Sequence, residues 1–354
     1  MREFGSDYHL LDDYFSNRAS LQRIYPNALF YANGRQCIKA LIEQNGWQRI
    51  WMPQYFCYEV IETIKTTGVE IIYYVDYPTC DDINSISKLK FETGDVLFRV
   101  NYFGLRNYRD EKNISIPVIE DHSHDLLGHW ALYSNADWCI ASLRKSLPIA
   151  EGGMLWSPKS KTIEKKPILT SENCSIAKIR WEAMAQKSTY LEGKGTLKNE
   201  LRTKFINTEE ILSSLPFSLI DSESINYLNH FDINAWYNIK KKNWKYLRDT
   251  FSKDINILSP EEEFCNPFSF IVIMDNMKTR ELVYKKLIQT AIYPAILWNI
   301  PSDTIVEPPV NDISGRILSI HCDGRYTEGD VRELSYKLRP VSYTHLRAHE
   351  TCAD

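Results

Sequence analysis

Short apolar runs alternate with segments of helical periodicity through the first half of the chain. The runs are apolar on successive residues, as in strands buried on both faces, and the segments between them repeat apolar residues at helical spacing, as in Cys37, Ile38, Leu41 and Ile42. This alternation predicts an α/β fold, a three-layer, mostly parallel sheet with helices on both faces, which binds ligands at the carboxyl ends of its strands. The predicted strands are residues 49–52, 70–76, 95–100, 117–120, 138–143 and 153–156.

The second half of the chain has a different pattern. Residues 171–251 have a helical pattern, in which the basic run at 240–242 is interpreted as a solvated helix face. A second β-rich region follows, and a final helix contains Val331, Leu334 and Leu338. We therefore predict a large α/β domain over residues 1–230 and a smaller α+β domain over residues 231–340.

Composition and charge narrow the function classes. The chain has 42 Lys and Arg residues against 46 Asp and Glu, a net charge of −4, which gives no electrostatic reason to expect nucleic acid or an anionic membrane as a partner. The first residues resemble no signal peptide, and no apolar run reaches the roughly 18 residues of a spanning helix. The eight cysteines are widely spaced without a zinc pattern, which predicts reduced thiols and a cytoplasmic enzyme.

The last residues differ from the rest of the chain. The segment from Val341 to Thr351 has no apolar period and resembles, residue for residue, a translated transposon-end sequencing adapter. We therefore expect residues 341–354 to be non-native, like an expression scar, and to carry no fold or site assignment. On this interpretation the native part is at most 340 residues long, and the natural sequence continues differently after the final helix.

A possible phosphate site precedes the first strong helix. The tetrapeptide Asn33-Gly34-Arg35-Gln36 stands where the N–H groups of a helix N-terminus are exposed, and its glycine allows close approach of the backbone. These features form a natural phosphate cradle. An ordinary helix cap is the alternative interpretation.

An acidic strand end is the second candidate. The segment VIEDHSHDLLG, residues 118–128, ends a short strand in Glu120 and Asp121, which places carboxylates at the ligand-binding edge of the sheet; a helix cap by Asp121 is the alternative. His122 and His124 also suggest a metal site. Their order lacks the further Asp-His of the metallohydrolase pattern H-x-H-x-D-H, so we predict no catalytic metal.

Two further segments suggest a nucleophile and an aromatic contact. Lys145 lies between two strand-like runs next to Arg144, a position that favours a nucleophilic lysine over a solvated surface charge. The segment MPQYFCYEVIE, residues 52–62, is rich in aromatic residues at a strand end. Tyr55, Phe56 or Tyr58 could stack on a flat cofactor ring or form part of the core.

Taken in order, these segments resemble the DegT and StrS group of sugar aminotransferases, which belong to the fold type I pyridoxal-phosphate enzymes. The resemblance extends from about Tyr31 to Leu338 and is strongest in NGRQCIKAL, MPQYFCYEV, VIEDHSHDLLG and SLRKSLPIAEGG. It implies pyridoxal 5'-phosphate as cofactor and transfer of an amino group, usually from glutamate, to a nucleotide-linked keto-sugar in surface polysaccharide or related biosynthesis. It also implies a homodimer.

The resemblance assigns roles by position. Lys145 matches the lysine that forms the internal Schiff base and moves the proton, and Asp121 matches the carboxylate that pairs with the pyridine nitrogen. His124 matches the residue that contacts the phenolic oxygen of the cofactor. The backbone N–H groups of Gly34 and Arg35, with the hydroxyl of Ser142, match the phosphate site.

Three departures from the family pattern are visible. Cys57 stands where the family usually has the aromatic that stacks on the ring, so stacking falls to Tyr55, Phe56, Tyr58 or Tyr102. The loop before Lys145 is short, and the G-x-N-x-R segment that reaches the partner's phosphate is not found. The alternatives are a dehydratase or lyase of the same fold, a catalytically altered member, and a metal-dependent hydrolase that uses His122 and His124.

Overall fold

The computed structural model describes residues 3–11, 14–15, 19–80, 86–107, 114–164, 166–195, 197–260 and 265–350, with residues 340–350 as backbone only. The strands are β1 (Phe4–Gly5), β2 (Leu29–Tyr31), β3 (Arg49–Pro53), β4 (Glu70–Tyr74), β5 (Asp95–Val100), β6 (Val118–Asp121), β7 (Trp138–Ser142), β8 (Gly153–Trp156), β9 (Phe270–Ile273), β10 (Ile292–Tyr293) and β11 (Ile317–Ile320). The α-helices are α1 (Leu21–Ile24), α2 (Gly34–Asn45), α3 (Tyr58–Lys65), α4 (His129–Leu132), α5 (Leu143–Ser146), α6 (Ser171–Leu191), α7 (Lys198–Ser214), α8 (Ser222–His230), α9 (Ile233–Phe251), α10 (Met277–Gln289), α11 (Pro308–Arg316) and α12 (Glu328–Glu350). Short 3-10 helices cover Ile86–Lys88 and Tyr102–Gly104.

The central sheet has seven strands in the order β2-β8-β7-β6-β5-β3-β4. Strands β3 to β7 run parallel to one another, whereas β8 is antiparallel to both β7 and β2. The prediction of a mostly parallel sheet is therefore confirmed. The carboxyl ends of β5, β6 and β7 meet at one edge, where ligands bind in such sheets.

Both faces of this sheet are buried, as the runs of apolar residues predict. Ile50 and Met52 of β3 pack into a core cluster with α2 and α3, whereas Trp51 between them packs into the cluster on the opposite face. Successive side chains point to opposite faces of a strand, so a run without polar residues requires a covering layer on each side. The three-layer arrangement follows.

The C-terminal part has its own small sheet and core. Strands β9 and β11 pair antiparallel, and α9, α10 and α12 pack on them around residues such as Leu247, Phe270 and Leu334. Strand β1 pairs parallel with β10, so the first residues of the chain join this part. The predicted α+β architecture is confirmed, and the boundary at residue 230 stays a prediction.

Some details differ from the sequence-based expectations. Strand β2, only three residues long, was not predicted. Lys240 is 1% exposed, so the basic run is not entirely a solvated face; its ammonium lies 3.8 Å from the centroid of the Tyr237 ring. The backbone of α12 continues to Glu350, through most of the predicted non-native tail, and residues 351–354 lie outside the described part. In the described residues no helix has the length and apolarity needed to cross a membrane.

Candidate functional site

The predicted segments meet at the carboxyl edge of the sheet, around a cavity of about 80 Å³. The N-terminus of α2, the end of β6, the end of β7 and the start of α3 contribute its walls. A second cavity of about 340 Å³ lies beside it, and Arg144 and Lys145 line both. The predicted site residues on the wall of the smaller cavity are Gly34, Arg35, Cys57, Asp121, Ser142 and Lys145.

The start of α2 forms one wall of the smaller cavity. Asn33 caps the helix, and its side-chain oxygen accepts the N–H of Gln36 at 3.1 Å. The helix starts at Gly34, and its dipole favours an anion at this end. A Cβ atom at Gly34 would lie 3.1 Å from the Cβ of Ser142, so only glycine brings this backbone so close to β7. The capping interpretation of this tetrapeptide is therefore confirmed, and the phosphate cradle stays a prediction.

Asp121 ends β6 at the floor of the same cavity. One of its carboxylate oxygens accepts the N–H of Ser123 at 2.8 Å, which turns the chain away from the sheet without starting a helix. The hydroxyl of Ser123 in turn accepts the N–H of Ser142 at 2.8 Å. Asp121 is thus a positioned carboxylate, 8% exposed, and Ser123 is a site residue that the sequence reasoning missed.

Lys145 lies in α5, the short helix that follows β7. Ser142 precedes this helix, and the N–H of Leu143 donates to the carbonyl of Gly152 at 3.0 Å, which fixes the loop against β8. The Lys145 ammonium is 5.1 Å from the centroid of the Trp298 ring. Trp298 comes from the C-terminal part of the chain, and its role was not predicted.

His124 lies within an aromatic cluster beside Lys145. Its ring is stacked with Phe103 at 5.3 Å and with Trp298 at 5.5 Å between centroids. Nδ1 accepts the N–H of Phe103 at 3.2 Å, whereas the buried Nε2 has no hydrogen-bond partner among the described residues. Burial, followed by repulsion from Lys145 and Lys240, holds the pKa of His124 well below its ordinary value. The ring is therefore neutral, with its proton on Nε2 and free to be donated.

The aromatic residues near Cys57 are placed differently from the stacking expectation. The Tyr55 hydroxyl donates to the carbonyl of Leu297, and that of Tyr102 donates to the carbonyl of Tyr55 at 2.6 Å. Phe56 packs edge-on against Phe98. These rings belong to the core behind the site, whereas Cys57 lines the cavity itself. The other predicted candidate, Tyr58, lies in the first turn of α3 and donates to the Gln54 carbonyl at 3.2 Å.

His122 and His124 belong to different clusters. His122 Nε2 lies 3.2 Å from a carboxylate oxygen of Glu120, and Ser134 donates to the same oxygen at 2.6 Å. Potential ligand atoms of Glu120, His122 and Cys139 lie within 4.8 Å of one another, and His124 is not in this group. The geometry therefore does not bring the two histidines together as the hydrolase alternative requires.

A carboxylate held by arginines borders the smaller cavity and was not predicted. Glu209 of α7 accepts two hydrogen bonds from Arg144, at 2.5 and 2.8 Å, and one from Arg35 at 3.4 Å. Arg180 of α6 lies 3.6 Å away and also lines the larger cavity. No local sequence pattern connects residues so far apart in the chain.

Glu151 is a buried carboxylic acid beside the site. Burial raises its pKa to about 8, although one oxygen accepts the N–H of Asp221 at 2.5 Å. A side-chain hydrogen bond with Asn173 also acts against this rise in pKa. The next residue, Gly152, donates to the carbonyl of Ala32 at 2.9 Å, so the Glu151 loop supports the start of α2.

Comparison with known proteins shows similarity in structure alone. No family model matches the chain, and no curated protein matches it in sequence. DesI, solved in the presence of its TDP-sugar product, is 13% identical with a TM-score of 0.64 and 97% of each chain covered. Helicobacter pylori PseC, an aminotransferase involved in the biosynthesis of pseudoaminic acid, is 12% identical with a TM-score of 0.62, covering 97% of this chain and 100% of PseC.

A third structure adds information on a cofactor. NtdA from Bacillus subtilis, with bound cofactor PMP, is 12% identical with a TM-score of 0.60, covering 93% of this chain and 78% of NtdA. Coverage of nearly the whole chain in all three cases shows that this protein has the fold of these proteins. The predicted fold class is thereby confirmed.

Proposed function

We propose that the protein is a pyridoxal-phosphate-dependent aminotransferase that moves an amino group from glutamate to a nucleotide-linked keto-sugar. One observation carries the proposal: Lys145 and Asp121 line the same small cavity as the Gly34 and Ser142 cradle. The fold of PMP-bound NtdA and of DesI with its TDP-sugar product supports this cofactor and substrate class. We further propose that the protein is a cytoplasmic homodimer and that its product is used in surface polysaccharide or related biosynthesis.

The polar groups of the two adjoining cavities fit the cofactor group by group, with His124 on the wall of the larger one. The cradle at Gly34 and Ser142 suits a phosphate, and the carboxylate of Asp121 suits a protonated pyridine nitrogen. The orphaned Nε2–H of His124 suits a phenolic oxygen, and the Lys145 amine suits an aldehyde. These four groups carry the complementary chemistry of pyridoxal phosphate.

The residues of this chain have distinct tasks in such a reaction. Bound here, pyridoxal phosphate supplies an electron-withdrawing ring that stabilises negative charge on the carbon attached to the transferred nitrogen. Asp121 holds a proton on the ring nitrogen, and His124 donates a hydrogen bond from Nε2. Lys145 would move a proton at the substrate carbon that carries the transferred nitrogen. The larger cavity, which Lys145 also lines, receives the substrate.

The retained lysine separates this function from its rival within the fold. Dehydratases and lyases that resemble this family replace the lysine with histidine, whereas the present chain has Lys145 at the cavity wall. A catalytically altered member would keep the fold without turnover. Transamination is therefore the favoured reaction, and the dehydratase is the outcome that an assay must distinguish.

A single half-reaction tests the proposed function. L-Glutamate added to the cofactor-loaded protein is expected to release about one equivalent of 2-oxoglutarate per subunit, and nucleotide-linked keto-sugars are then expected to accept the amino group. Lys145→Ala is the inactive control. Failure of every amino donor to release its keto acid, together with loss of water from the sugar, would instead establish the dehydratase.

A further inference from the structure

The cluster of Glu209 and its arginines lies at the phosphate cradle and has no role in the proposed reaction so far. Arg35 and Arg144 line the same cavity as Gly34 and Ser142. Their guanidinium groups converge on one carboxylate, since Glu209 accepts hydrogen bonds from both. Cations, a helix N-terminus and a glycine thus surround one small cavity.

Positive charge exceeds negative charge in this cluster. Although burial by itself would raise the pKa of Glu209, attraction to Arg144, Arg180 and Arg35 lowers it to about 2, so Glu209 is ionised at neutral pH. Among the described residues the only other ion pair of these three arginines is with Glu59, which is 79% exposed and 3.7 Å from Arg35. Asp7 and Glu151 attract Arg180 from farther away. Three guanidinium groups therefore face one carboxylate whose side chain is 40% exposed, and an additional anion would be attracted to the cluster.

Arg180 is anchored elsewhere, which singles out the other two arginines. Its Nε donates to the carbonyl of Ala150 at 2.6 Å, and another nitrogen donates to the Thr208 hydroxyl at 2.9 Å. Arg144, in contrast, directs both terminal nitrogens to Glu209, and its buried Nε has no hydrogen-bond partner in the part of the chain that the structure describes. Arg35 and Arg144 can therefore replace Glu209 by another anion as hydrogen-bond acceptor without breaking a hydrogen bond to the backbone.

We propose that Arg35 and Arg144 form a phosphate clamp within one chain, and that Glu209 holds the pair in place while competing with phosphate for it. The G-x-N-x-R segment that reaches the partner's phosphate in the family is not found in this sequence. The clamp would supply positive charge to the phosphate in its place. This proposal rests on the proposed function in one respect, namely that the ligand whose phosphate binds here is pyridoxal phosphate. Guanidinium groups suit this task because they bind phosphate oxygens in pairs.

Pyridoxal phosphate and pyridoxal provide the decisive comparison, because both carry the aldehyde and only one carries the phosphate. Their affinities are measured by spectroscopic titration of the cofactor-free full chain. We expect Arg144→Gln to lower the affinity for pyridoxal phosphate about 10- to 100-fold and the affinity for pyridoxal by less than about 3-fold. The reason is that the variant loses a charge-assisted hydrogen bond to the phosphate, which pyridoxal lacks. Arg35→Gln is expected to show the same selectivity with a smaller loss. Arg332→Gln, at an exposed ion pair on α12, is the matched control.

Glu209→Gln tests the competing carboxylate. Removal of its charge is expected to raise the affinity for pyridoxal phosphate about 10-fold and to leave the affinity for pyridoxal unchanged. Weaker binding of pyridoxal phosphate by Glu209→Gln would overturn the competition and leave Glu209 as a positioning residue only. An equal loss of affinity for pyridoxal phosphate and for pyridoxal in Arg144→Gln would overturn the clamp. Should that variant fail to fold, Arg144→Lys decides, with an expected selective loss of about 3- to 10-fold.

Inorganic phosphate separates failure of the clamp from failure of the proposed function. Calorimetric titration is expected to show phosphate binding to Glu209→Gln that disappears in the double variant with Arg144→Gln. This result would support the clamp even if the wild-type protein bound no pyridoxal phosphate, which would refute the aminotransferase. The clamp would be refuted if phosphate bound equally well with and without Arg144→Gln, or if no phosphate binding were observed.

Discussion

The buried carboxyl of Glu151 makes a quantitative prediction about stability and pH. Its side chain is fully buried, and its pKa is about 8 because burial disfavours the charged form. In the unfolded chain the pKa of the same group has its ordinary value of about 4.5. The folded protein therefore keeps a proton that the unfolded chain releases, and the stability that this proton provides falls as the pH rises from about 4.5 to about 8.

The size of the effect follows from the difference between the two pKa values. Each pH unit in this window costs about 1.4 kcal/mol, which amounts to roughly 3 kcal/mol at pH 7 and roughly 5 kcal/mol above pH 8. Glu151→Gln removes the titration and keeps an oxygen that accepts the Asp221 N–H. We expect the variant to exceed the wild type's free energy of unfolding by less than about 1 kcal/mol at pH 5 and by about 3 kcal/mol at pH 7.

Urea unfolding at pH 5, 6, 7 and 8 measures this difference, with circular dichroism as the signal. Glu182→Gln, on the exposed side of α6, is the control and should parallel the wild type at every pH. Parallel pH profiles for wild type and Glu151→Gln would refute the reasoning, because the carboxyl would then ionise in the fold as it does in the unfolded chain. A large loss at pH 5 would show that the second oxygen has an essential partner.

Three further predictions concern the site. Gly34→Ala should lower the affinity for pyridoxal phosphate at least about 10-fold, because its Cβ would lie 3.1 Å from the Cβ of Ser142 and would push the start of α2 away from β7; unchanged affinity would contradict the cradle. Asp121→Asn should keep the cofactor bound but slow the glutamate half-reaction about 100-fold, and a wild-type rate would remove Asp121 from catalysis. His124 should remain the neutral Nε2–H form from pH 5.5 to 8 in ¹⁵N NMR spectra, since its pKa is strongly lowered; a titration near pH 6.5 would contradict the buried ring.

The sheet and the position of the site could be predicted because both depend on local sequence. Strands β3 to β8 are short apolar runs, and parallel strands bring their carboxyl ends together. Asp121 and Lys145 stand at or just after such ends, so their convergence follows from topology. The resemblance to a known family added their chemical roles, which stay predictions.

The missed features depend on contacts between distant parts of the chain. Glu209 lies on a helix 64 positions after Lys145, and Trp298 reaches the site from the C-terminal part. Strand β2 is held by pairing with β8, and three residues carry too little periodicity to predict a strand. His122 and His124 are two residues apart, but the chain turns directly after β6, so strand alternation does not place them on one face.

The attachment of the cofactor to Lys145 tests the central claim most directly. The purified protein, supplied with pyridoxal phosphate, should be yellow, and borohydride should fix one cofactor per chain on the peptide that contains Lys145, as mass spectrometry would show. Lys145→Ala should bind no cofactor covalently. A colourless protein that cannot be reconstituted, a fixed cofactor on another lysine, or colour that persists in Lys145→Ala would contradict the account.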